Sequence, residues 1–127
     1  MKILPTISLG VTAALAFSLA GALEIEPFSG ESLAQEQRAG APVALHFHSQ
    51  WCGTCKLQDQ AFREMQADPG LPMKLLVVDF DEDLPTSKAF RVPVSGAVIV
   101  FRGQVERARS FGILDRKQLR DVLRKAF

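Results

Sequence analysis

Cysteine is scarce in this chain: of 127 residues only Cys52 and Cys55 carry thiols. Neither has another partner, so no structural disulfide framework spans the fold. A bridge between the two closes a loop too short to constrain the unfolded chain much. There is no second Cys-x-x-Cys, which excludes a four-cysteine zinc site within one chain. An excess of charge of one sign is missing too. Lysine plus arginine number 15 and aspartate plus glutamate 14, and Lys2 sits apart in an N-terminal apolar segment, so the remainder is balanced. No electrostatic nucleic-acid binder is expected from that balance. Arg116, Lys117, Arg120, Arg124 and Lys125 do cluster. They read as the wet face of a helix whose inner face carries Leu119, Val122 and Leu123, with a docking patch for an acidic partner or anionic lipid as the alternative. Internal repeats, low-complexity tracts and inter-domain linkers are absent from the sequence.

Long apolar runs occur once outside the expected strands, at the N-terminus. Met1-Lys2 supplies a positive charge, Ile3 to Leu19 is mostly apolar, and Ala20-Gly21-Ala22 is a small-x-small cleavage site. Residues 1–22 therefore read as an export signal, leaving 23–127 as one domain of ordinary size. The alternative is an uncleaved anchor, since the run approaches the roughly 20 residues that span a bilayer. Either way the domain is expected outside the cytoplasm. In a bacterium that is the periplasm or another exported location, where disulfides persist. Membrane contact is expected only through this segment if it stays uncleaved.

The elements follow from pattern. A first short strand is expected near Glu24–Phe28. Ser29–Ala39 reads as a helix stopped by Gly40. Val43–His48 is a strand bounded by Pro42. Cys52 to about Gln66 is a helix with Leu57, Ala61, Phe62 and Met65 at helical spacing, broken by Asp68-Pro69-Gly70. Lys74–Asp79 and Ala97–Phe101 are continuous apolar strands, the mark of a sheet covered on both faces. Pro85–Phe90 is a short helix or turn. Val105–Arg109 alternates weakly and is expected at an edge. Asp115 with Gln118 reads as a capping box opening the helix Arg116–Ala126. The fold class is α/β: a central mixed β-sheet with helices on both faces.

The chemistry concentrates at Trp51-Cys52-Gly53-Thr54-Cys55. Two thiols separated by two residues can close a disulfide when the first sits at a helix start, where free N–H groups and the helix dipole favour a thiolate. A lone Cys-x-x-Cys is ambiguous between a metal half-site, a redox pair and inert thiols. The preceding tryptophan and the strand-like run Val43–His48 favour the redox dithiol.

The tract Phe47-His48-Ser49-Gln50-Trp51-Cys52-Gly53-Thr54-Cys55-Lys56 resembles the active-site strand and helix start of the thioredoxin family. The likeness extends nearly without gaps through Asp79-Phe80-Asp81, Phe101, Gly112 and Gln118-Leu119. It implies a thioredoxin fold and a thiol–disulfide oxidoreductase acting on protein thiols and disulfides, with a membrane electron carrier as the partner that would recharge a periplasmic reductant. It implies no cofactor. By the same resemblance Cys52 would be the exposed attacking thiol and Cys55 the buried resolving one. Trp51 would shape the surface beside the sulfurs, and Gly53, Thr54, Ser95 and Gly96 would border the substrate.

The sequence departs from the family pattern in three places. Thr54 stands where proline is usual; its N–H and hydroxyl can donate toward the Cys52 sulfur, favouring thiolate and a more oxidising couple. His46 stands where the family has a buried acid, so a neutral imidazole would take the proton of the buried thiol, against the alternative of a satisfied core histidine. His48, two residues on, shares its sheet face. Gly96 stands where the family has a cis-proline, with Pro93 three residues earlier as the alternative occupant. These departures keep a second function open: a non-catalytic module of the same scaffold that binds a partner protein or, through two thiolates and His46 or His48, a soft metal such as zinc or copper(I).

Overall fold

The structure is a computed structural model that describes Ile3 and residues 21–127. Apart from Ile3, Gly21 and Ala22, the expected export segment and its cleavage site lie outside the described residues. Among those described, no helix is long and apolar enough to cross a membrane.

The described chain runs β1 (Glu24–Pro27), α1 (Gly30–Arg38), β2 (Pro42–His48), α2 (Gly53–Met65), β3 (Lys74–Asp79), α3 (Leu84–Ala89), β4 (Ala97–Arg102), β5 (Val105–Phe111) and α4 (Arg116–Arg124). The strands form one five-stranded sheet in the order β1-β3-β2-β4-β5. β3 pairs in parallel with β1 and β2, whereas β4 is antiparallel to both β2 and β5. This is the mixed sheet expected from the sequence. The two strands read as continuous apolar runs, β3 and β4, are interior, and β5 is at an edge. A β-bulge at Val100/Phe101 against β5 adds local twist there.

Strand side chains alternate between two cores. On one face Ala44, Leu75, Val98 and Val100 pack against Ala61, Phe62 and Met65 of α2 and Leu119 and Leu123 of α4. On the other, Val43, Leu45, Phe47, Leu76 and Ile99 pack against Leu33 of α1 and against Phe90 and Val92, which follow α3. Burial on both faces is what removes polar residues from β4.

Each helix start has a chemical cause. Ser29 and Ser32 form a reciprocal capping box, Ser32 N–H donating to Ser29 Oγ at 3.0 Å and Ser29 N–H to Ser32 Oγ at 3.1 Å. Gly40, at φ 65°, follows the C-cap of α1 in the left-handed region that glycine accepts without strain. Asp83 caps α3, and Asp115 caps α4 by accepting from Gln118 N–H at 2.9 Å. Replacing Asp115 with alanine is expected to lower unfolding free energy by about 1 kcal/mol, read as a shifted urea midpoint with unchanged slope. An unmoved midpoint would show the cap to be idle.

Two expectations need correction. Leu57, read as part of the inner stripe of α2, is 53% exposed. The buried stripe is Cys55, Gln58, Ala61, Phe62 and Met65, and Leu57 lies about 200° around the helix from Cys55 at roughly 100° per residue. The basic cluster of α4 is also only partly a free wet face. Arg116 and Arg120 both donate to the Asp68 carboxylate, at 2.9 and 2.8 Å, fastening α4 to the turn after α2.

Candidate functional site

The dithiol stands where β2 hands over to α2. The handover is a tight turn built on Ser49, which is buried. Its hydroxyl donates to Asp81 Oδ2 at 2.7 Å and accepts from Trp51 N–H at 3.2 Å, while its carbonyl accepts from Cys52 N–H at 3.1 Å. Cys52 thereby becomes the N-cap of α2 in extended backbone, and its sulfur accepts the N–H of Cys55 at 3.2 Å. A sulfur in the capping position uses orphan amide donors that a serine or aspartate oxygen would otherwise take.

The two thiols sit in different surroundings. Cys52 is half-exposed and Cys55 fully buried. For Cys52, burial raises the pKa, but hydrogen bonding from the Cys55 thiol, the Ser95 side chain and the backbone N–H groups of Cys55 and Thr54 outweighs it, so the thiol titrates below its ordinary value. For Cys55, burial and donation toward Cys52 push the thiol up, with Ser49 backbone and Ser95 only partly opposing. The amide bonded to the Cys52 sulfur is that of Cys55, at 3.2 Å; the Thr54 N–H, expected there, adds the smallest of these lowering effects. Exposure and thiolate character thus fall on the same residue. Alkylation by iodoacetamide at pH 7 is expected to label Cys52 first, with Cys55 labelled only after denaturation; peptide mass mapping reads the order, and equal labelling would contradict the two environments.

Gly96 faces the dithiol. A Cβ placed on it would lie 3.6 Å from the Thr54 methyl, 3.6 Å from Gln58 Oε1 and 3.9 Å from Cys55 Sγ. Its φ of 87° is glycine's territory, and its N–H donates to Phe47 O at 2.8 Å, a bond proline cannot make. Gly96 rather than Pro93, which is exposed, therefore faces the sulfurs. Trp51 is 82% exposed beside them. Gly53 is exposed at the helix start, where an added Cβ would meet open space.

His46 is fully buried on the face beneath α2, in edge contact with His48 and Phe62 at 5.6 and 5.1 Å between ring centroids. Its Nε2 lies 2.9 Å from Gln58 Oε1. Because Gln58 Nε2 donates to Gly96 O and Ile113 O, both at 3.0 Å, Gln58 Oε1 is the acceptor and His46 Nε2 carries the proton. His46 Nδ1 is buried with no hydrogen-bond partner. Burial lowers the His46 pKa to about 4 against the raising effect of the Gln58 bond, helped by His48. No hydrogen bond joins either ring nitrogen to a sulfur, so the direct contact that a proton acceptor for Cys55 would make is not formed.

Gln58 is the residue that the sequence reading missed. The signal was present: it follows Cys55 by three residues, so it shares that face of α2 and interrupts an otherwise apolar stripe. His48 is half-buried and lines a groove of about 610 Å³ together with Trp51, Asp59, Arg63, Asp79 and Asp81; neither cysteine lines it. Among the described residues, no group of three or more histidine, cysteine and acidic side chains is placed to hold a metal ion, and His46 and His48 do not join the cysteines as a ligand set.

Comparison with known proteins agrees with this geometry. The family model described as Thioredoxin matches residues 24–125. Thioredoxin of Chlamydia trachomatis is 28% identical over 102 residues, covering 80% of this chain and 97% of that protein. Mitochondrial thioredoxin of Mus musculus is 29% identical over 84 residues, 66% of this chain and 51% of that protein. The chain thus spans about half the length of the mammalian mitochondrial relatives it matches. The crystal structure of Trxlp from Edwardsiella tarda superposes with a TM-score of 0.75 at 31% identity, covering 79% of this chain and 98% of that one.

Proposed function

The chain belongs to the thioredoxin family, and from that footing we propose that it is a thiol–disulfide oxidoreductase exchanging disulfides with protein substrates through Cys52 and Cys55. The observation that carries this reading is the sulfur of Cys52 in the N-cap of α2, half-exposed, accepting the Cys55 N–H, with the second thiol buried one helical turn away.

The steps follow from the environments. In the reducing direction the Cys52 thiolate attacks one sulfur of a substrate disulfide; the new S–S bond forms as the old one breaks, and the departing substrate thiolate takes a proton. Cys55 then loses its proton and attacks the Cys52 sulfur. That forms the Cys52–Cys55 bond and releases the second substrate thiol. Substrate is reduced by two electrons and the dithiol oxidised by two; disulfide donation runs the same steps in reverse. Gly96 stands against Thr54 and the Cys55 sulfur, and an extended substrate backbone can approach it because it lacks a Cβ. Trp51, Gly53 and Thr54 form the rim on the α2 side. For His46 the proposal rests on Nδ1, the ring atom that keeps a lone pair once Nε2 donates to Gln58; having no bond to either sulfur in the resting fold, it would accept the Cys55 proton only if the two close on each other during exchange.

Stabilising the Cys52 thiolate stabilises the reduced pair, which supports a couple more oxidising than that of a family member with proline at the Thr54 position. The N-terminal segment supports an exported, periplasmic site of action, and a reductant there would draw electrons through a membrane carrier. The test is twofold. Reduced protein should accelerate insulin disulfide reduction, or oxidised protein should oxidise a reduced protein substrate. Equilibration with glutathione buffers then gives the potential. Failure in both directions would overturn the reading.

A further inference from the structure

The inner stripe of α2 is apolar except for the Cys55 thiol and one amide, that of Gln58. A buried amide with unmet bonds costs about 1–3 kcal/mol, yet this one is met three times. It accepts from His46 of β2, and it donates to Gly96 O in the loop before β4 and to Ile113 O in the loop after β5. We infer that Gln58 is a positioning residue for thiol exchange: it clamps the Gly96 carbonyl and so holds the Ser95-Gly96 turn against Thr54 and Cys55. This rests on the reading of Cys52 and Cys55 as the reactive pair.

Glycine is the residue least able to fix its own backbone, so a loop that ends on Gly96 needs its geometry imposed from outside. Here every polar group of Gly96 is engaged. Its N–H donates to Phe47 O at 2.8 Å, and its carbonyl accepts from Gln58 Nε2 at 3.0 Å and from Gly112 N–H at 3.1 Å. The first bond ties the loop to β2, and the second ties it to α2. Because Gln58 follows Cys55 by three residues, one rigid helix face carries both the resolving thiol and the clamp. The loop and the sulfurs are thereby held in one register, through the same helix. Ser95, the neighbour of the clamped residue, is the side chain outside α2 that favours the thiolate of both cysteines. Its effect depends on where the Gly96 peptide is held. The amide therefore does by hydrogen bonding what a proline ring does covalently, and it leaves the Gly96 N–H free to bond Phe47.

The test is a double-mutant cycle on Gln58→Met, which keeps side-chain length and removes both donors, and Ser95→Ala. Two quantities are read: the midpoint of Cys52 thiolate formation from absorbance at 240 nm, and KM and kcat for a peptide disulfide. Each single variant is expected to raise the midpoint. The double variant should raise it no further than Ser95→Ala alone, because the clamp acts through that hydroxyl. Gln58→Met should also raise KM about fivefold, the scale of one hydrogen bond. Wild-type midpoint and KM in Gln58→Met, or midpoint shifts that simply add, would overturn the inference whatever the thermal stability. Should the methionine variant not fold, Gln58→Asn, which withdraws the amide by one methylene, must give the same pattern. If the wild-type protein exchanges no disulfide at all, the functional reading fails while the midpoints still decide the clamp.

Discussion

Cys52→Ser is expected to abolish disulfide exchange in both directions, and Cys55→Ser to stop it halfway. The distinction follows from burial. Substrate sulfur can reach only a thiol with exposed surface, and Cys55 has none. Serine at position 52 keeps the capping geometry, since its oxygen can accept the Cys55 N–H, so the fold should survive. It supplies no sulfur for the mixed disulfide and, as an alcohol, no appreciable anion at neutral pH. Turnover should fall to the uncatalysed rate of the assay. With Cys55→Ser the first step remains, because the Cys52 thiolate keeps the Thr54 N–H and the influence of Ser95. The second step is lost, so one equivalent of mixed disulfide should accumulate. Intact-protein mass spectrometry reads the adduct, and dithiothreitol should reverse it. Residual turnover in Cys52→Ser, or trapping through Cys55 instead, would reverse the assigned roles.

Much of this was legible in sequence because it is local. The interior places of β3 and β4 in the sheet follow from runs of apolar residues too long to leave either face wet. Gly40 and the Asp68-Pro69-Gly70 break marked helix ends, since left-handed and proline conformations are short-range constraints. The facing of Gly96 toward the sulfurs was readable because the family likeness runs to Phe101 without a gap. What was not legible depends on partners far along the chain. Gln58 reaches carbonyls 38 and 55 residues away, and nothing within α2 shows that those acceptors converge on it. The same blindness put Leu57 on the inner stripe: phase measured from Leu57 itself gives an acceptable apolar face, and only the anchoring of Cys55 under β2 rotates the helix to bury Gln58. Asp68 collecting Arg116 and Arg120 is a contact across some fifty residues, invisible to periodicity. For His46, sequence placed the ring beneath the dithiol but could not assign its proton, which is fixed by which end of the Gln58 amide it meets.

That ring also makes the protein acid-sensitive. His46 titrates near 6.5 when exposed and about 4 in the fold. Between those values the unfolded chain binds more protons than the folded one, so stability rises with pH through the window and is lost as pH falls through it. The contribution is complete above about pH 7. By pH 4 the loss amounts to about 3 kcal/mol, from roughly 1.4 kcal/mol per pH unit over the separation of the two pKa values. A domain of this size holds about 5–15 kcal/mol in all, so the loss is a substantial share. Protonation would put a second proton on Nδ1, which has no acceptor in the core, beside His48 at 5.6 Å. Carboxylates titrate in the same range, so the readout is a difference. His46→Leu should be less stable than wild type at pH 7, since it leaves Gln58 Oε1 unpaired. The gap between the two proteins, from urea unfolding, should shrink by about 3 kcal/mol on going from pH 7 to pH 4. A gap that stays constant would mean that the ring is solvated or already charged in the fold. It would also remove the neutral imidazole from the account of how Cys55 loses its proton, because only an uncharged ring offers Nδ1 as an acceptor at the pH where thiols exchange.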